Sequence, residues 1–374
     1  MKANPRKRPG RLVTGMLVAG AAAWLTPGRV AAEPTAPTPA VRQEAASPPL
    51  VNGRGWDMGP FVKHPLPILS PTKDSKFRCP IRSQEVRWEA QNVYNPAAVV
   101  RQGKVYLLYR ADDFSPDLKW GRTCRIGLAW SEDGIHFTRH PAPVLYPDND
   151  AWKEHEWEGG CEDLHLVEGE DGVYYLNYTT WNGQRDTLSI ASSPDLLHWT
   201  KHGPAFRKAA PNRVHGSRSG VVVSQLRHGR LTAARIHGKY WMFYTHPCAL
   251  AWSDNLLDWT PADKAVWPGG NHEAGAIALL RDDGILLMFN ASDWTPKVSS
   301  RGSWTLGQAL INRTDLSAVL KHADQPFLYP ELDWEKQGFT GLTTVANTLV
   351  PFQGRWLLYY GAADRVIGLA TWAN

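Results

Sequence analysis

The strongest constraint on this chain is one short pattern that occurs five times. GKVYLLY (103–109) is followed by IGLAWSEDGIHF (126–137), and GVYYLNY (172–178) by LSIASSPDLLHWT (188–200). GKYWMFY (238–244) is followed by CALAWSDNLLDWT (248–260), GILLMFN (284–290) by WTLGQALINRTDL (304–316), and GRWLLYY (354–360) by VIGLATW (366–372). Each unit is a glycine turn, a strand rich in aromatics, a polar turn and a second strand. The glycines stand 46 to 70 residues apart, which leaves room for about four strands per unit. Helical periodicity is scarce, and β-branched and aromatic runs dominate. Five blade-sized units without helical spacers predict an all-β fold, a five-bladed β-propeller rather than a two-sheet sandwich. The chain stops inside the last unit's second strand, so residues near 60–100 are expected to help close the ring.

In such a ring the first strands face one axis, and polar residues at equivalent strand ends converge there. The candidates are Asn95 and Arg110 in the first unit, Glu162 and Asp163 in the second, and Arg218, Arg235 and His246 in the third. The fourth offers His272 and Glu273, and the fifth Asp364 after LLYYGAA. Each alone reads as a turn residue, a cap or a surface charge; their recurrence at matching places lifts them. In WEGGCEDLH (157–165) the two carboxylates are adjacent, and neighbours on a strand point to opposite faces. Only one is expected in the axial pocket, the other holding backbone or a cation behind it. Paired carboxylates in a hydroxyl-binding pocket suit glycosidic cleavage, with one acid for the leaving oxygen and a base for water. Arg and Asn suit sugar hydroxyls, and some of the eighteen Trp suit ring faces.

Charge narrows the alternatives. Residues 1–32 carry six basic side chains and no acid, leaving 35 basic against 36 acidic in the rest. The body therefore has no electrostatic footprint for nucleic acid or an anionic membrane. The first 32 residues have the layout of an export signal: basic KANPRKRPGR, fourteen apolar residues LVTGMLVAGAAAWL, and Val30-Ala31-Ala32 as a cleavage site. A Pro- and Ala-rich spacer is expected over 33–50, and the functional domain over 51–374. An exported, periplasmic or extracellular protein permits disulfides; the four cysteines would allow three pairings, but a core this large does not demand one. No GxGxxG, P-loop or His pair at ligand spacing is present, so no cofactor or metal is expected.

NPAAVV, LLYRA, GLAWSEDGIHF, GCED, ASSPDLLHWTKHGPAF, GKYWMFY and LLYYGAAD together resemble glycoside hydrolase family 130 over about residues 64–372. That family comprises five-bladed propellers that are β-mannoside phosphorylases and β-mannosidases. The resemblance implies that Asp163 is the general acid, acting through a substrate hydroxyl, and that Asn95, Arg110 and Asp364 hold the sugar. It implies that Glu273 is the base for water in hydrolase-type members. His165 and His272 beside these carboxylates are further candidate substrate contacts. The family's Pro-Arg after the acid is here Leu164-His165, which would give the acid a weaker, pH-dependent charge neighbour. A phosphorylase's His-Arg pair is replaced by Tyr244-Thr245, leaving Arg218 and Arg235 as cations for an anion site. The expectation is an exported inverting β-mannosidase acting on short mannosides. A phosphorylase using inorganic phosphate and a sugar-binding propeller without turnover stand as alternatives. Loops 112–123 and 145–158 are expected to close over the pocket, with Trp120 as a possible ring platform.

Overall fold

The computed structural model describes residues 55–209, 217–245, 248–266, 272–292 and 304–373. The expected signal segment, the spacer and His246 lie outside them. The described residues are all-β apart from two single-turn helices, α1 (Lys153–Glu156) and α2 (Asp333–Lys336). A short strand β1 (Val62–Lys63) and a hairpin, β2 (Phe77–Cys79) and β3 (Gln84–Val86), precede five antiparallel groups. The first group is β4 (Asn92–Arg101), β5 (Lys104–Asp112), β6 (Cys124–Ser131) and β7 (Thr138–Arg139). The second is β8 (Gly160–Glu168), β9 (Tyr174–Trp181), β10 (Asp186–Ser193) and β11 (Thr200–Pro204). The third is β12 (Gly220–Arg227), the short β13 (Arg230–Ala233) and β14 (Arg235–Ile236), then β15 (Lys239–Tyr244), β16 (Ala249–Ser253) and β17 (Trp259–Ala265). The fourth is β18 (His272–Arg281), β19 (Gly284–Ala291), β20 (Thr305–Ile311) and β21 (Val319–His322). The fifth is β22 (Thr344–Phe352), β23 (Arg355–Ala362) and β24 (Val366–Trp372). Its fourth strand is β1, through Val62↔Thr371 and Lys63↔Ala370, as expected for the N-terminal part of the fold.

First strands contact one another in sequence: β4 with β8, β8 with β12, β12 with β18, β18 with β22, and β22 with β4. Apolar clusters fill the spaces between successive groups. Adjacent residues on one strand feed different clusters: Leu107 packs between groups one and five, Leu108 between one and two. Both sheet faces are therefore buried, and the strands read as continuous apolar runs instead of alternating. Each such leucine contributes roughly 1.5–3 kcal/mol by leaving water. The glycine inside the third strand of a group is also explained. Tyr109 lies across Gly127, its cross-strand partner, where a Cβ would stand 2.3 Å from the ring. Tyr360 and Gly368 repeat the arrangement at 2.4 Å. All four cysteines are buried free thiols.

Two polar devices recur with the strands. A tyrosine on the second strand donates to a buried glutamate from the segment entering the group, and a cation on the fourth strand holds the same carboxylate, on the same oxygen in Glu89 and on the other oxygen in Glu156 and Glu335. The sets are Tyr109–Glu89–Arg139 (3.0 and 2.7 Å), Tyr178–Glu156–Lys201 (3.1 and 2.6 Å) and Tyr360–Glu335–Lys63 (2.7 and 2.9 Å). The turn after the third strand is tied by a serine and an acid or amide: Ser131 with Asp133, Ser193 with Asp195, and Ser253 with Asn255.

Candidate active site

Near their starts the first strands break register. Bulges lie between Tyr94 and Ala97, Glu162 and His165, Ala274 and Ile277, and Ala346 and Thr348. A bulge re-aims a side chain that a regular strand would send elsewhere. Asn95, Asp163 and Ser219 adopt left-handed backbone at φ 44°, 45° and 41°, sparsely populated for residues other than glycine. All three line one cavity of about 190 Å³ with Arg110, Arg218, Glu273 and Asp364. Gly361 makes room for Asn95: a Cβ there would stand 2.5 Å from the Asn95 Oδ1.

Asp163 is the centre of the cluster and 4% exposed. Its Oδ1 accepts from Asn95 Nδ2 at 2.9 Å and from Arg110 Nη1 at 2.9 Å, and its Oδ2 accepts from Arg218 Nη2. Burial alone would raise its pKa. Arg218, Arg110 and the Asn95 amide more than offset that and hold the carboxyl well below the usual range. Arg218 also brings its Nε to 3.7 Å from Glu273 Oε1, so one guanidinium lies between the two carboxylates. Ser219 Oγ donates to the same Glu273 oxygen. Asp364, in the turn after β23, is pushed upward by burial, against a hydrogen bond with Thr340. Asn95 Oδ1 accepts no hydrogen bond among the described residues, and a ligand hydroxyl would satisfy it.

Asn95, Arg110, Asp163, Arg218, Glu273 and Asp364 are thus brought together, and three other candidates are not. Arg235 stands at the glycine-turn end of its hairpin, whereas the cavity lies at the opposite strand ends. There it pairs with Glu170 at 3.4 Å and lies over the Tyr240 ring at 3.9 Å. His165 falls past the bulge, bonds Asn347 at 3.2 Å and lines a separate void of about 40 Å³. Burial pulls its pKa down to about 4, so it is neutral at ordinary pH and is not a pH-dependent substitute for an arginine. His272 precedes Glu273 on the strand and so takes the other face, against the rings of Phe289 (5.2 Å) and His322 (5.9 Å).

Glu162 holds a cation and does not line the axial cavity, as expected, although its cation is the Arg110 that Asp163 also holds. The bulge and the left-handed Asp163 let both carboxylates reach Arg110, Glu162 at 2.8 Å through Nη2. Burial raises the Glu162 pKa, opposed by Arg110. The loops differ from expectation as well. Residues 146–152 line another groove, while Thr340, Thr343 and Trp304 line the axial cavity. Asn347 and Ser219 were also missed. Asn347 lies within the β22 bulge much as Asn95 lies within that of β4, a parallel visible only once bulges are known.

The family described as beta-1,4-mannooligosaccharide phosphorylase matches residues 63–374. The 1,2-beta-oligomannan phosphorylase of Thermoanaerobacter sp. (strain X514) is 30% identical over 76% of this chain and 91% of its own length. A glycosyl hydrolase from Bacteroides ovatus is 35% identical, with TM-score 0.81 over 87% of this chain and 96% of that one. Another similar structure (34% identity, TM-score 0.81, the same shares of both chains) comes with the statement that this family of mannoside phosphorylases contains glycoside hydrolases targeting beta-1,2 mannosidic linkages in Candida mannan.

Proposed function

The chain belongs to glycoside hydrolase family 130, and from that premise we propose that it hydrolyses β-1,2-mannosidic bonds of short mannosides with inversion. The observation that carries hydrolysis is the charge of the axial cavity. Among the described residues that line it, three carboxylates, Asp163, Glu273 and Asp364, meet two cations, Arg110 and Arg218. Arg218 is engaged by Asp163 and Glu273, and Arg110 by Asp163 and, from outside the lining, by Glu162. A phosphate dianion needs converging donors and positive charge; a neutral sugar and a water do not. Glu273 serves as the base that takes a proton from water as its oxygen attacks the anomeric carbon. The bond to the leaving oxygen breaks, and that oxygen receives a proton from a substrate hydroxyl that Asp163 re-protonates.

For that relay Asp163 has to carry a proton, and its two guanidiniums oppose this in the free protein. Arg110 is held in place, with its side chain 7% exposed, whereas Arg218 is 32% exposed. Substrate entry that loosens Arg218 from Asp163 would raise the carboxyl toward a useful range. Asn95, Arg110 and Asp364 hold sugar hydroxyls, and Trp304 offers a ring face. The five strand groups with successive first-strand contacts support a five-bladed propeller around this axis. We place the protein outside the cytoplasm on residues 1–32; the mass of the protein recovered from cell fractions tests removal of that segment.

A phosphorylase is the second reading, favoured by the 30% identity to an oligomannan phosphorylase. Product analysis with β-1,2-mannobiose separates the two. Free mannose released equally with and without phosphate is the expected result, and Glu273→Gln should then lower turnover about 10²–10³-fold. Mannose 1-phosphate formed only with phosphate would overturn hydrolysis.

A further inference from the structure

A groove of about 370 Å³ lies apart from the axial cavity and shares no lining residue with it. It is built from residues 144–152, which bridge onto β6 through Ile126↔Leu145, and from Trp199 and Lys201 at the start of β11. Three half-buried aromatics line it, each fixed from behind. Tyr146 packs on Phe77 with ring centres 4.6 Å apart. Trp152 covers Gly203, where a Cβ would stand 2.1 Å from its ring. The Trp199 indole donates to Leu196 O at 3.0 Å. Platforms already ordered lose little entropy when a ligand stacks on them.

The polar groups select the ligand. The three ammonium hydrogens of Lys201 are matched by Tyr146 O (2.7 Å), Asp150 (3.0 Å) and Glu156 (2.6 Å). No donor of that cation is left for an anion, and Asp148 and Asp150 would repel one. A metal is no better suited, since no group of three or more His, Cys, Asp or Glu among the described residues could hold one. Aromatic faces beside carboxylate acceptors fit an uncharged, hydroxyl-rich ring.

We propose that this groove is a second saccharide site, which holds a neutral glycan chain without cleaving it. It holds a glycan at a place apart from the axial cavity, and this role does not depend on which bond that cavity breaks. The test is affinity electrophoresis of the full protein carrying Asp163→Asn, in gels containing yeast mannan or, separately, a neutral β-glucan. Retardation by at least one polymer is expected. Adding Trp199→Ala or Asp148→Ala should weaken it roughly tenfold. Asp148 Oδ1 also accepts from the backbone of Asn149 at 2.7 Å, so the loss counts as lost binding when the thermal midpoint of the Asp148→Ala protein is unchanged. Each change alone, in the unaltered protein, should leave mannobiose turnover within about twofold, a separate readout of the axial cavity. Retardation by neither polymer, or retardation that both substitutions leave intact, would overturn the proposal.

Discussion

The protein buries the same chemical kit in two settings, and they behave oppositely. In the strand groups, a glutamate sits between a tyrosine and a cation three times over, at Glu89, Glu156 and Glu335. On the axis, Asp163 sits between an asparagine and two arginines once. Burial pushes Glu156 up to about 7 even beside Lys201, whereas the axial guanidiniums hold Asp163 well below its ordinary range. The triads pin the entry segment of a group to its fourth strand. In the fifth group that strand is β1, whose Lys63 comes from the other end of the chain. The axial cluster instead faces a cavity. The triads recur with the same kinds of side chain because they hold structure, whereas the axial positions recur in place with a different side chain in each group, as converging on one ligand requires.

Asp163→Asn tests the axial side hardest. Turnover of β-1,2-mannobiose should fall at least 10³-fold, and the thermal midpoint should fall as well, because a carboxylate held below its ordinary range by Arg218 and Arg110 stabilises the folded protein. An Asp163→Asn protein with more than a tenth of the activity would move the acid elsewhere. Glu156→Gln tests the other side. The amide weakens the bonds to Tyr178 and Lys201, while Lys201 keeps Tyr146 O and Asp150; this costs about 1–3 kcal/mol, read as a lower denaturant midpoint, with kcat/KM unchanged under conditions where the variant is folded. Loss of catalysis at full stability would erase the distinction between the two regions.

The repeat was legible because it is local. The glycine turns, the aromatic strands and the Ser-x-Asp turns are set by residues a few positions apart, and they stand in the sequence as they stand in the structure. Six axial residues were legible too, through a motif and a matching place in each unit. Arg235 and His272 were misplaced because position within a unit says neither which strand end faces the axis nor which face a side chain takes. Glu162 was placed rightly outside the cavity and on a cation, but that it shares Arg110 with Asp163 was not legible, because a bulge interrupts the period of two. The triads were invisible, since Lys63 and Glu335 meet only when the ends of the fold do.

His165 sits between the two settings, buried like the triads and bonded to Asn347, whose side chain borders the axial cavity. Its pKa of about 4 lies below the ordinary value near 6.5. The unfolded chain therefore takes up a proton first as pH falls. The stability this residue contributes is present above about 6.5 and lost toward 4, an amount of about 3 kcal/mol. His165→Gln removes that dependence, so its denaturant midpoint should fall less than that of the unaltered protein between pH 7 and 4. The pH dependence of kcat/KM should keep its shape, because a neutral imidazole titrates nothing there. A shifted activity profile would make His165 part of the axial chemistry.

The smallest effect belongs to the turns. Asp195 Oδ1 accepts from the backbone of Leu197 (2.9 Å) and His198 (2.8 Å) and from Ser193 Oγ (3.1 Å). Asn255 makes the same backbone bonds in the third group, at 3.0 and 2.9 Å. The amide oxygen is therefore sufficient for the turn. Asp195→Ala should cost about 1 kcal/mol, and Asp195→Asn only a fraction of that. The carboxylate adds a contact with the His198 ring at 2.8 Å, and despite slight burial its hydrogen bonds hold its pKa below the ordinary range. That contribution is present above about pH 4 and lost as pH falls further, so the gap between the protein and Asp195→Asn should close below pH 4. Denaturant midpoints at pH 7 and 3 check it. A widening gap would mean that Asp195 is bound to more than its own turn, and the turns would then no longer stand as independent, locally encoded copies against the axis.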